Sequence, residues 1–354
     1  MPLRNVLVRA TNWVGDAVMS VPALEALRTQ LPQARISILA RPWVAELYKR
    51  EPFCDELIPY EAPRGFAGLR EKWDVARELR RRKFDCAILF QNAFEAAAIV
   101  RLAGIPMRVG YERDARGLLL THPVPVPRAG ETPRHQRFYY LELLKRARLV
   151  ESYSLESPIR LAGARAAAQA GLDRLRNAGI SRPVVGVSPG AAYGGAKRWL
   201  PERFAEAAIE IGRERGASIA IFGSKEEVPI AEVVHRHVEA SGLRCVNVAG
   251  ATSLGAFIEL AAACDIYLTN DSGPMHIASA LGVPTVAIFG ATDDVATGPT
   301  GAHSRVVREP VECSPCLLRE CPIDHRCMTR VSADRVAQTA LGLVETIKVA
   351  IEKT

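Results

Sequence analysis

The sequence contains no long apolar run. No stretch of its 354 residues approaches the roughly 20 consecutive apolar residues that a membrane-spanning helix needs. Residues 1–5 lack the long apolar segment of a signal peptide and lead directly into a predicted strand. We therefore expect a cytoplasmic protein that neither spans a membrane nor is secreted.

The sequence also has few aromatic residues, which make up 6% of the chain. They are not interleaved with basic residues in the way that stacks nucleic-acid bases, so we expect no nucleic-acid partner. The formal net charge is +7, and basic clusters lie at residues 77–83 and 134–137. Each cluster fits either a solvated helix face or a surface that meets a phosphorylated glycolipid or a membrane leaflet.

The eight cysteines do not repeat the paired spacing of a zinc site. Four of them are scattered through apolar segments, where buried free thiols are the usual case. The other four form a cluster with a single Cys-x-x-Cys, at Cys313, Cys316, Cys321 and Cys327. In a cytoplasmic protein this spacing is only weak evidence for metal, and reduced thiols in an ordered loop are the main interpretation.

Predicted strands and helices alternate in both halves of the chain. Apolar, β-rich runs at residues 6–8, 35–40 and 84–90 alternate with helical patterns in the first half. The alternation restarts at residue 184 and continues to residue 289. This pattern predicts an α/β protein with two doubly wound, Rossmann-like domains, each binding ligands at the carboxyl ends of its strands.

The region between the two halves breaks this alternation. Residues 121–127 are proline-rich and cannot form a central strand. We expect the domain boundary at about residues 165–182. This gives an N-terminal domain of residues 1–170 and a C-terminal domain of residues 180–334.

A polar cluster follows one predicted strand of the second half. Its members are Asp271, Ser272, Gly273, Pro274 and His276. The proline favours the first turn of a helix, and a helix that begins after a strand directs its positive dipole end at an anion. We interpret the cluster as a phosphate and sugar site, with simple helix capping as the alternative.

A glycine-rich loop follows the first strand of the second half, at residues 188–199. Its glycines let the backbone approach a ligand, and Lys197 and Arg198 supply charge for a diphosphate. The absence of Gly-Lys-Ser/Thr disfavours a kinase. Glu226 and Glu227 follow the next strand, where they either hold ribose hydroxyls or complement the dipole of the helix they open.

The loop after the first strand of the chain contains Asp16 and lacks the Gly-x-Gly-x-x-Gly of a dinucleotide site. We therefore disfavour an NAD-dependent dehydrogenase and expect the nucleotide on the C-terminal domain. Asp16 is then either a general base that takes a proton from an attacking hydroxyl or a cap of the helix beside it. The residues themselves leave these two interpretations equal.

Three separated motifs resemble one known family. Residues 12–24 resemble the opening of the bacterial ADP-heptose:lipopolysaccharide heptosyltransferases, glycosyltransferase family 9, and within it the heptosyltransferase II branch. Residues 188–199, 270–276 and the cysteine-rich stretch 313–328 are similar to that family as well. The resemblance runs from residue 5 to about residue 340.

This resemblance implies a GT-B fold, with two Rossmann-like domains facing a central cleft. It implies an inverting mechanism, no required metal or other cofactor, and ADP-L-glycero-β-D-manno-heptose as donor. The implied acceptor is lipid A–Kdo–heptose at the cytosolic face of the inner membrane, where the enzyme would bind peripherally. It further implies that the last helix, at about residues 335–354, packs back on the N-terminal domain.

The resemblance also assigns roles to residues. Asp16 is the implied catalytic base, Lys197 contacts the diphosphate, and Glu227 rather than Glu226 holds the ribose. The implied donor phosphate and sugar site comprises Asp271, Ser272, Gly273 and His276. The acceptor-binding candidates are Asn12, Trp13, Arg80, Arg81, Arg82 and His135. Ala192 stands where the family often has Glu, so we expect one donor contact to be lost or replaced.

Two further hypotheses stay open. Another family 9 transferase, heptosyltransferase I or III, would act on a different acceptor. A non-catalytic nucleotide-sugar binding protein would bind the donor without transferring its sugar. Transfer assays with defined acceptors distinguish these hypotheses.

Overall fold

The computed structural model describes residues 3–61, 68–156 and 158–352. The chain divides into two compact units, Met1–Ser157 and Pro158–Thr354. Each unit contains one six-stranded sheet, and every strand pairing in both sheets is parallel. The predicted α/β class with two Rossmann-like units is confirmed.

The first sheet has the strand order β3-β2-β1-β4-β5-β6. Its strands are β1 (Asn5–Arg9), β2 (Arg35–Ala40), β3 (Glu56–Pro59), β4 (Cys86–Leu89), β5 (Met107–Tyr111) and β6 (His122–Val124). The proline-rich stretch supplies β6, which lies at the edge of the sheet. Pro123 is tolerated there because an edge strand has one side without ladder hydrogen bonds.

The helices of the first unit connect or follow these strands. They are α1 (Val14–Met19), α2 (Val21–Gln30), α3 (Pro42–Tyr48), α4 (Leu69–Arg82), α5 (Phe94–Leu102) and α6 (Arg137–Arg146). On α4, Val75, Ala76 and Leu79 are buried in a core with Leu7 and Leu89 of the sheet. The charged side chains of α4 therefore occupy the opposite, solvent-facing side of the helix.

The second sheet has the order β12-β11-β10-β7-β8-β9. Its strands are β7 (Val184–Ser188), β8 (Ser218–Ile221), β9 (Cys245–Asn247), β10 (Ile266–Asn270), β11 (Thr285–Phe289) and β12 (Ser304–Arg308). Counted within each unit, both sheets have the same order, 3-2-1-4-5-6, in which the direction of winding reverses between the first and fourth strands.

The helices of the second unit include the last helix of the chain. They are α7 (Ala164–Asn177), α8 (Pro201–Arg215), α9 (Val228–Ala240), α10 (Leu254–Ala262), α11 (Gly273–Ala280), α12 (Asp294–Thr297), α13 (Arg326–Thr329) and α14 (Ala333–Glu352). Because α7 packs against α10, the second unit begins somewhat earlier than the boundary expected at residues 165–182.

The packing of α14 differs from the expectation that the last helix returns to the N-terminal domain. Its buried residues Val336, Ala340 and Leu343 belong to the same apolar core as Phe204 of α8. Val331, just before the helix, is buried in that core too. The chain therefore enters α14 from within the second unit, and the apolar face of the helix completes that unit's core.

Candidate active site

The predicted site segments lie at the carboxyl ends of the two pairs of strands where the winding reverses. In the first unit, residues 12–16 follow β1, which pairs with β4. In the second unit, residues 189–199 follow β7 and residues 271–276 follow β10, and these two strands are paired. Open α/β sheets bind their ligands at this point, so each unit presents one candidate site.

Asp271 is the buried centre of the candidate site in the second unit. Its Oδ2 accepts hydrogen bonds from Lys197 Nζ and from Thr292 Oγ1, both at 2.6 Å, and only 4% of its side chain is exposed. A carboxylate this deep needs such partners because an uncompensated charge away from water is costly. The ion pair brings Lys197 and Asp271 together, and their contact with a donor stays a prediction.

Thr292 is not among the predicted site residues, although its position after a strand could have indicated it. It follows β11, whose carboxyl end lies beside that of β10, and polar residues at that edge are candidates for ligand contacts. Asp271 itself is not the helix cap that its sequence context allowed. The N-cap of α11 is Ser272.

The N-terminus of α11 supplies an anion-binding arrangement. The helix begins at Gly273, its first turn contains no acidic residue, and the Ser272 hydroxyl lies 3.2 Å from that of Thr269. His276 lies in the first turn and is 5% exposed. The first amides of a helix have no partner within it, so they and the dipole favour a phosphate at this position.

Asn270 holds the loop after β7 against the end of β10. Its Oδ1 accepts a hydrogen bond from Trp199 N at 2.9 Å, and its Nδ2 donates to Pro189 O at 2.8 Å. Trp199 is 1% exposed and is a core residue. Asn270 therefore holds both ends of the loop that carries Lys197.

Gly190 brings Glu227 to the same edge. A Cβ at Gly190 would lie 2.2 Å from Glu227 Cδ, so only glycine lets this carboxyl group pack against the loop. Glu227 Oε2 also accepts a hydrogen bond from Ser224 N at 2.8 Å, as part of a capping box. Glu227 is therefore part of the capping box at residues 224–227, just before α9, and the ribose contact stays a prediction.

The next two glycines of the loop admit a neighbouring segment of the chain. A Cβ at Gly194 would lie 2.3 Å from Arg319 O, and one at Gly195 would lie 2.4 Å from Glu320 Oε2. Gly195 N donates a hydrogen bond to Glu320 Oε1 at 2.9 Å. These two glycines therefore make room for the cysteine-rich stretch, and a close approach of the loop to a ligand stays a prediction.

The four clustered cysteines are not arranged as a metal site. Within residues 3–61, 68–156 and 158–352, no group of three or more His, Cys, Asp or Glu side chains is placed to hold a metal ion. All eight cysteines are free thiols. Burial, followed by the nearby Cys313, Cys316 and Cys321, raises the pKa of Cys327.

Asp16 lies in the first turn of α1, half-buried, and is not the cap of that helix. The N-cap is Trp13. The Tyr140 hydroxyl donates a hydrogen bond to Asp16 Oδ1 at 3.0 Å, and Tyr140 is 3% exposed. Burial and the Asp16 carboxylate raise the pKa of Tyr140 well above its usual value of 10.

Asn12 and Trp13 stand beside a second tryptophan. The buried Arg9 donates a hydrogen bond to Asn12 Oδ1 at 3.0 Å, and Trp43 Nε1 donates to Asn12 O at 3.3 Å. Trp13 is 55% exposed and Trp43 is 44% exposed. Exposed indole rings beside polar groups suit contact with a sugar.

The other acceptor candidates lie in different places. His135 is half-buried just before α6, and its Nδ1 accepts a hydrogen bond from Arg137 N at 3.1 Å. Arg80, Arg81 and Arg82 end α4 immediately before β4, at the amino edge of the first sheet. Asn5 Nδ2, at the start of β1, donates to Arg82 O at 2.8 Å.

The arginines of α4 are therefore separated from Asp16 by the length of β1. A strand of five residues spans about 17 Å. Arg82 is also occupied by ion pairs with Glu56 and Glu78. The structure does not bring these arginines to the Asn12–Asp16 loop. The sequence could not show this, because a charge pattern along a helix does not reveal which edge of the sheet the helix end reaches.

Comparison with known proteins identifies the family. Residues 72–326 match the family model described as glycosyltransferase family 9 (heptosyltransferase). The chain belongs to glycosyltransferase family 9. It is 33% identical over 319 residues to lipooligosaccharide heptosyltransferase 2 of Haemophilus ducreyi, covering 86% of this chain and 88% of that one.

Two Escherichia coli proteins support the same assignment. The chain is 31% identical to lipopolysaccharide heptosyltransferase 2, covering 86% and 87% of the two chains. The solved structure of the E. coli ADP-heptose lipopolysaccharide heptosyltransferase II has a TM-score of 0.80 at 28% identity, over 97% of this chain and 99% of that one. This family 9 enzyme is therefore a glycosyltransferase with a GT-B fold.

Proposed function

We propose that this family 9 enzyme transfers a heptose from ADP-heptose to the first heptose of the lipopolysaccharide inner core. Relatives named heptosyltransferase 2, one of them named as an ADP-heptose enzyme, support this choice of substrates. The observation that carries the proposal is the contrast between the two carboxyl edges. One presents Asp16 and exposed indole rings, and the other presents Lys197 and the N-terminus of α11.

The donor is assigned to the second unit. Lys197 is held by Asp271 at 2.6 Å, and α11 directs its first amides to the same edge. Both features stabilise a diphosphate. Glu227 lies beside Gly190 and is assigned to the ribose hydroxyls, since carboxylates beyond a strand end serve that purpose in nucleotide-binding sheets.

Asp16 is assigned the role of general base. It takes the proton from the acceptor hydroxyl while that oxygen forms a bond to the anomeric carbon of the heptose. The bond from that carbon to the diphosphate oxygen breaks, and ADP leaves with the electron pair. Lys197 and the α11 dipole stabilise the charge on ADP. This single displacement inverts the anomeric configuration, whereas retention requires a nucleophile in addition.

The acceptor is assigned to the carboxyl edge of the sheet in the first unit. Trp13 and Trp43 expose about half of their side chains beside Asn12, and the Arg41 guanidinium lies 5.9 Å from the centre of the Trp43 ring. Indole faces suit the heptose ring, and a guanidinium suits the carboxylates and phosphates of the inner core. His135 stays a weaker candidate because its imidazole accepts a backbone hydrogen bond.

A separate basic surface of the first unit is assigned to the membrane. We define the amino-edge patch as the exposed residues Arg80, Arg81, Lys83, Arg101 and Leu102. Its cations attract anionic lipid, and Leu102, 43% exposed, adds an apolar contact. None of the helices in the described ranges is long and apolar enough to cross a bilayer. Peripheral binding at the cytosolic face is therefore the mode that we propose.

Vesicle binding tests the membrane assignment. Replacing Arg80, Arg81 and Lys83 with Gln together removes three charges at roughly 1 kcal/mol each, so affinity for anionic vesicles should fall about 100-fold. The matched control replaces Arg165, Arg213 and Arg236, three exposed arginines of the second unit, with Gln. Equal losses in the two triple variants, or no loss in the first, would contradict the assignment.

Transfer assays test the function itself. The purified enzyme is supplied with ADP-heptose and with either heptosyl-Kdo2-lipid A or Kdo2-lipid A, and the product mass and released ADP are measured. We expect one heptose to be added only to the acceptor that already carries a heptose. Transfer to Kdo2-lipid A indicates heptosyltransferase I, and a requirement for a longer core indicates type III. ADP binding without transfer to any acceptor indicates a binding protein.

A further inference from the structure

Tyr140 reaches Asp16 from a distant part of the first unit. The two residues are 124 positions apart, and α6 brings the tyrosine hydroxyl to 3.0 Å from Asp16 Oδ1. The Tyr140 ring packs against Phe90 at 5.3 Å and against Tyr139 at 5.7 Å between ring centres. Because it is buried among aromatic rings, this hydroxyl is held in place by the core and not by solvent.

The direction of the Tyr140 proton follows from the charge of Asp16. An ionised carboxylate only accepts hydrogen bonds, so the phenol donates to it. Burial and then Asp16 raise the pKa of Tyr140, while a hydrogen bond with the Gln136 side chain opposes that rise. The single phenolic proton is then committed to Asp16.

We propose that Tyr140 positions the Asp16 carboxylate for proton transfer, an inference that rests on the proposed role of Asp16 as the base. An aspartate side chain has several staggered rotamers available to it. A hydrogen-bond donor fixed in the core selects one orientation of the carboxylate and keeps its oxygen atoms within reach of the acceptor hydroxyl. The same bond favours the ionised carboxylate, which is the form that accepts a proton.

The groups around Asp16 make this role measurable through pH. Besides burial, Asp16 raises the pKa of two described tyrosines, Tyr140 on α6 and Tyr48 on α3. The Tyr48 hydroxyl donates to Ala17 O at 3.2 Å and lies 3.2 Å from Ser20 Oγ. Burial raises the pKa of both phenols, so both stay neutral in the working range. Removing the Tyr140 hydroxyl therefore changes a hydrogen bond to Asp16 without changing any charge.

Tyr140→Phe tests the proposal, with Tyr153→Phe as the matched control. Tyr153 donates a similar bond to a carboxylate, Glu142 Oε2 at 2.7 Å, in the same unit but away from Asp16. Loss of a hydrogen bond to a charged group predicts a kcat roughly 10- to 100-fold lower for Tyr140→Phe. We expect its KM for ADP-heptose to stay within twofold (about 0.4 kcal/mol), and the acid limb of its pH–rate profile to move to higher pH.

The outcomes separate this inference from the proposed function. Asp16→Asn is measured in parallel, and rates are expressed per folded enzyme after thermal melting of each variant. If Asp16→Asn is inactive while Tyr140→Phe keeps the wild-type kcat and pH profile, the positioning role is overturned and the base stands. If Asp16→Asn keeps full activity, the base assignment fails and this inference with it. Equal losses in Tyr140→Phe and Tyr153→Phe also overturn the positioning role.

A second variant covers the case in which Tyr140→Phe folds poorly. Gln136→Leu leaves the phenol and its hydrogen bond to Asp16 in place and removes only the amide contact to the phenol, which weakens the phenol as a donor. We expect kcat to fall by a few-fold, less than in Tyr140→Phe, with KM for ADP-heptose unchanged. A loss of kcat in Gln136→Leu larger than that in Tyr140→Phe contradicts the role of the Tyr140 hydroxyl.

Discussion

Asp85 in the first unit and Asp265 in the second occupy equivalent places, each directly before the fourth strand of its sheet. Asp85 Oδ2 accepts hydrogen bonds from Arg4 N and Asn5 N at 2.8 Å, and Asp265 Oδ2 accepts one from Val184 N at 2.8 Å. In both units the carboxylate ties the start of the first strand to the start of the fourth.

The helix before the fifth strand also ends alike in both units. α5 is followed by Gly104 at φ 73° and α11 by Gly282 at φ 80°, and each glycine precedes an apolar residue and a proline. The amide of that apolar residue, Ile105 or Val283, bonds back to the carbonyl of the residue five positions earlier, at 3.3 Å and 3.1 Å. The amino edges of the two sheets are thus built in the same way.

The carboxyl edges differ in the charge of their helix N-termini. The first turn of α1 contains Asp16 and that of α5, the equivalent of α11, contains Glu95, whereas the first turn of α11 contains no acidic residue. A carboxylate at a helix N-terminus satisfies the positive end of the dipole and repels a second anion, while an N-terminus without one attracts phosphate. Asp271, next to α11, is neutralised by Lys197. One shared scaffold is therefore compatible with the proposed base in the first unit and the proposed anion site in the second.

Asp16→Asn should give the largest effect, because it removes the proposed base from the carboxyl edge of the first unit and leaves the carboxyl edge of the second unit unchanged. General bases contribute roughly 10²- to 10⁴-fold, so we expect kcat to fall by about three orders of magnitude. The affinity for ADP, measured by calorimetry, should stay at the wild-type value. Wild-type kcat in this variant would contradict the assignment of the base to the first unit. A large loss of ADP affinity would contradict the assignment of ADP binding to the second unit alone.

Lys197→Met addresses the opposite edge. It removes a charge-assisted contact and leaves Asp271 buried without its cation, so we expect ADP to bind roughly 100-fold more weakly. Adding Asp271→Asn should recover part of this affinity, since the repulsive carboxylate is gone. Lys348→Met, an exposed lysine at the far end of α14, is the matched control and should bind ADP normally. Normal ADP affinity in Lys197→Met contradicts the diphosphate assignment.

The sequence was sufficient for the fold class and for the two site loops. Short β-rich runs alternating with helical patterns indicate a parallel sheet, and polar residues that follow a strand must lie at its carboxyl edge. Both arguments are local. They place Asp16, Lys197 and residues 271–276 correctly at strand ends, and the family resemblance adds the roles that local patterns leave open.

Contacts between distant segments could not be predicted in this way. Tyr140 lies within an apolar helical run that has no polar pattern of its own, and only the packing of α6 on α2 carries it to Asp16. The position of the α4 arginines could not be predicted for the same reason, since the edge of the sheet that they reach depends on the direction of the following strand. The direction of α14 depends on the core into which Val331 has already packed.

The smallest predicted effect concerns the amino edges of the two sheets, which are built alike. Asp85→Ala and Asp265→Ala each remove an acceptor of backbone N–H groups, so each should lower the free energy of unfolding by about 1–2 kcal/mol in urea. Because both lie at amino edges, kcat and KM per folded enzyme should stay unchanged. The Arg182 side chain that pairs with Asp265 is 57% exposed, so Arg182→Gln should cost less than about 0.5 kcal/mol. If Arg182→Gln matches the loss in Asp265→Ala, the ion pair and not the strand tie stabilises the second unit, and the parallel between the two amino edges breaks down.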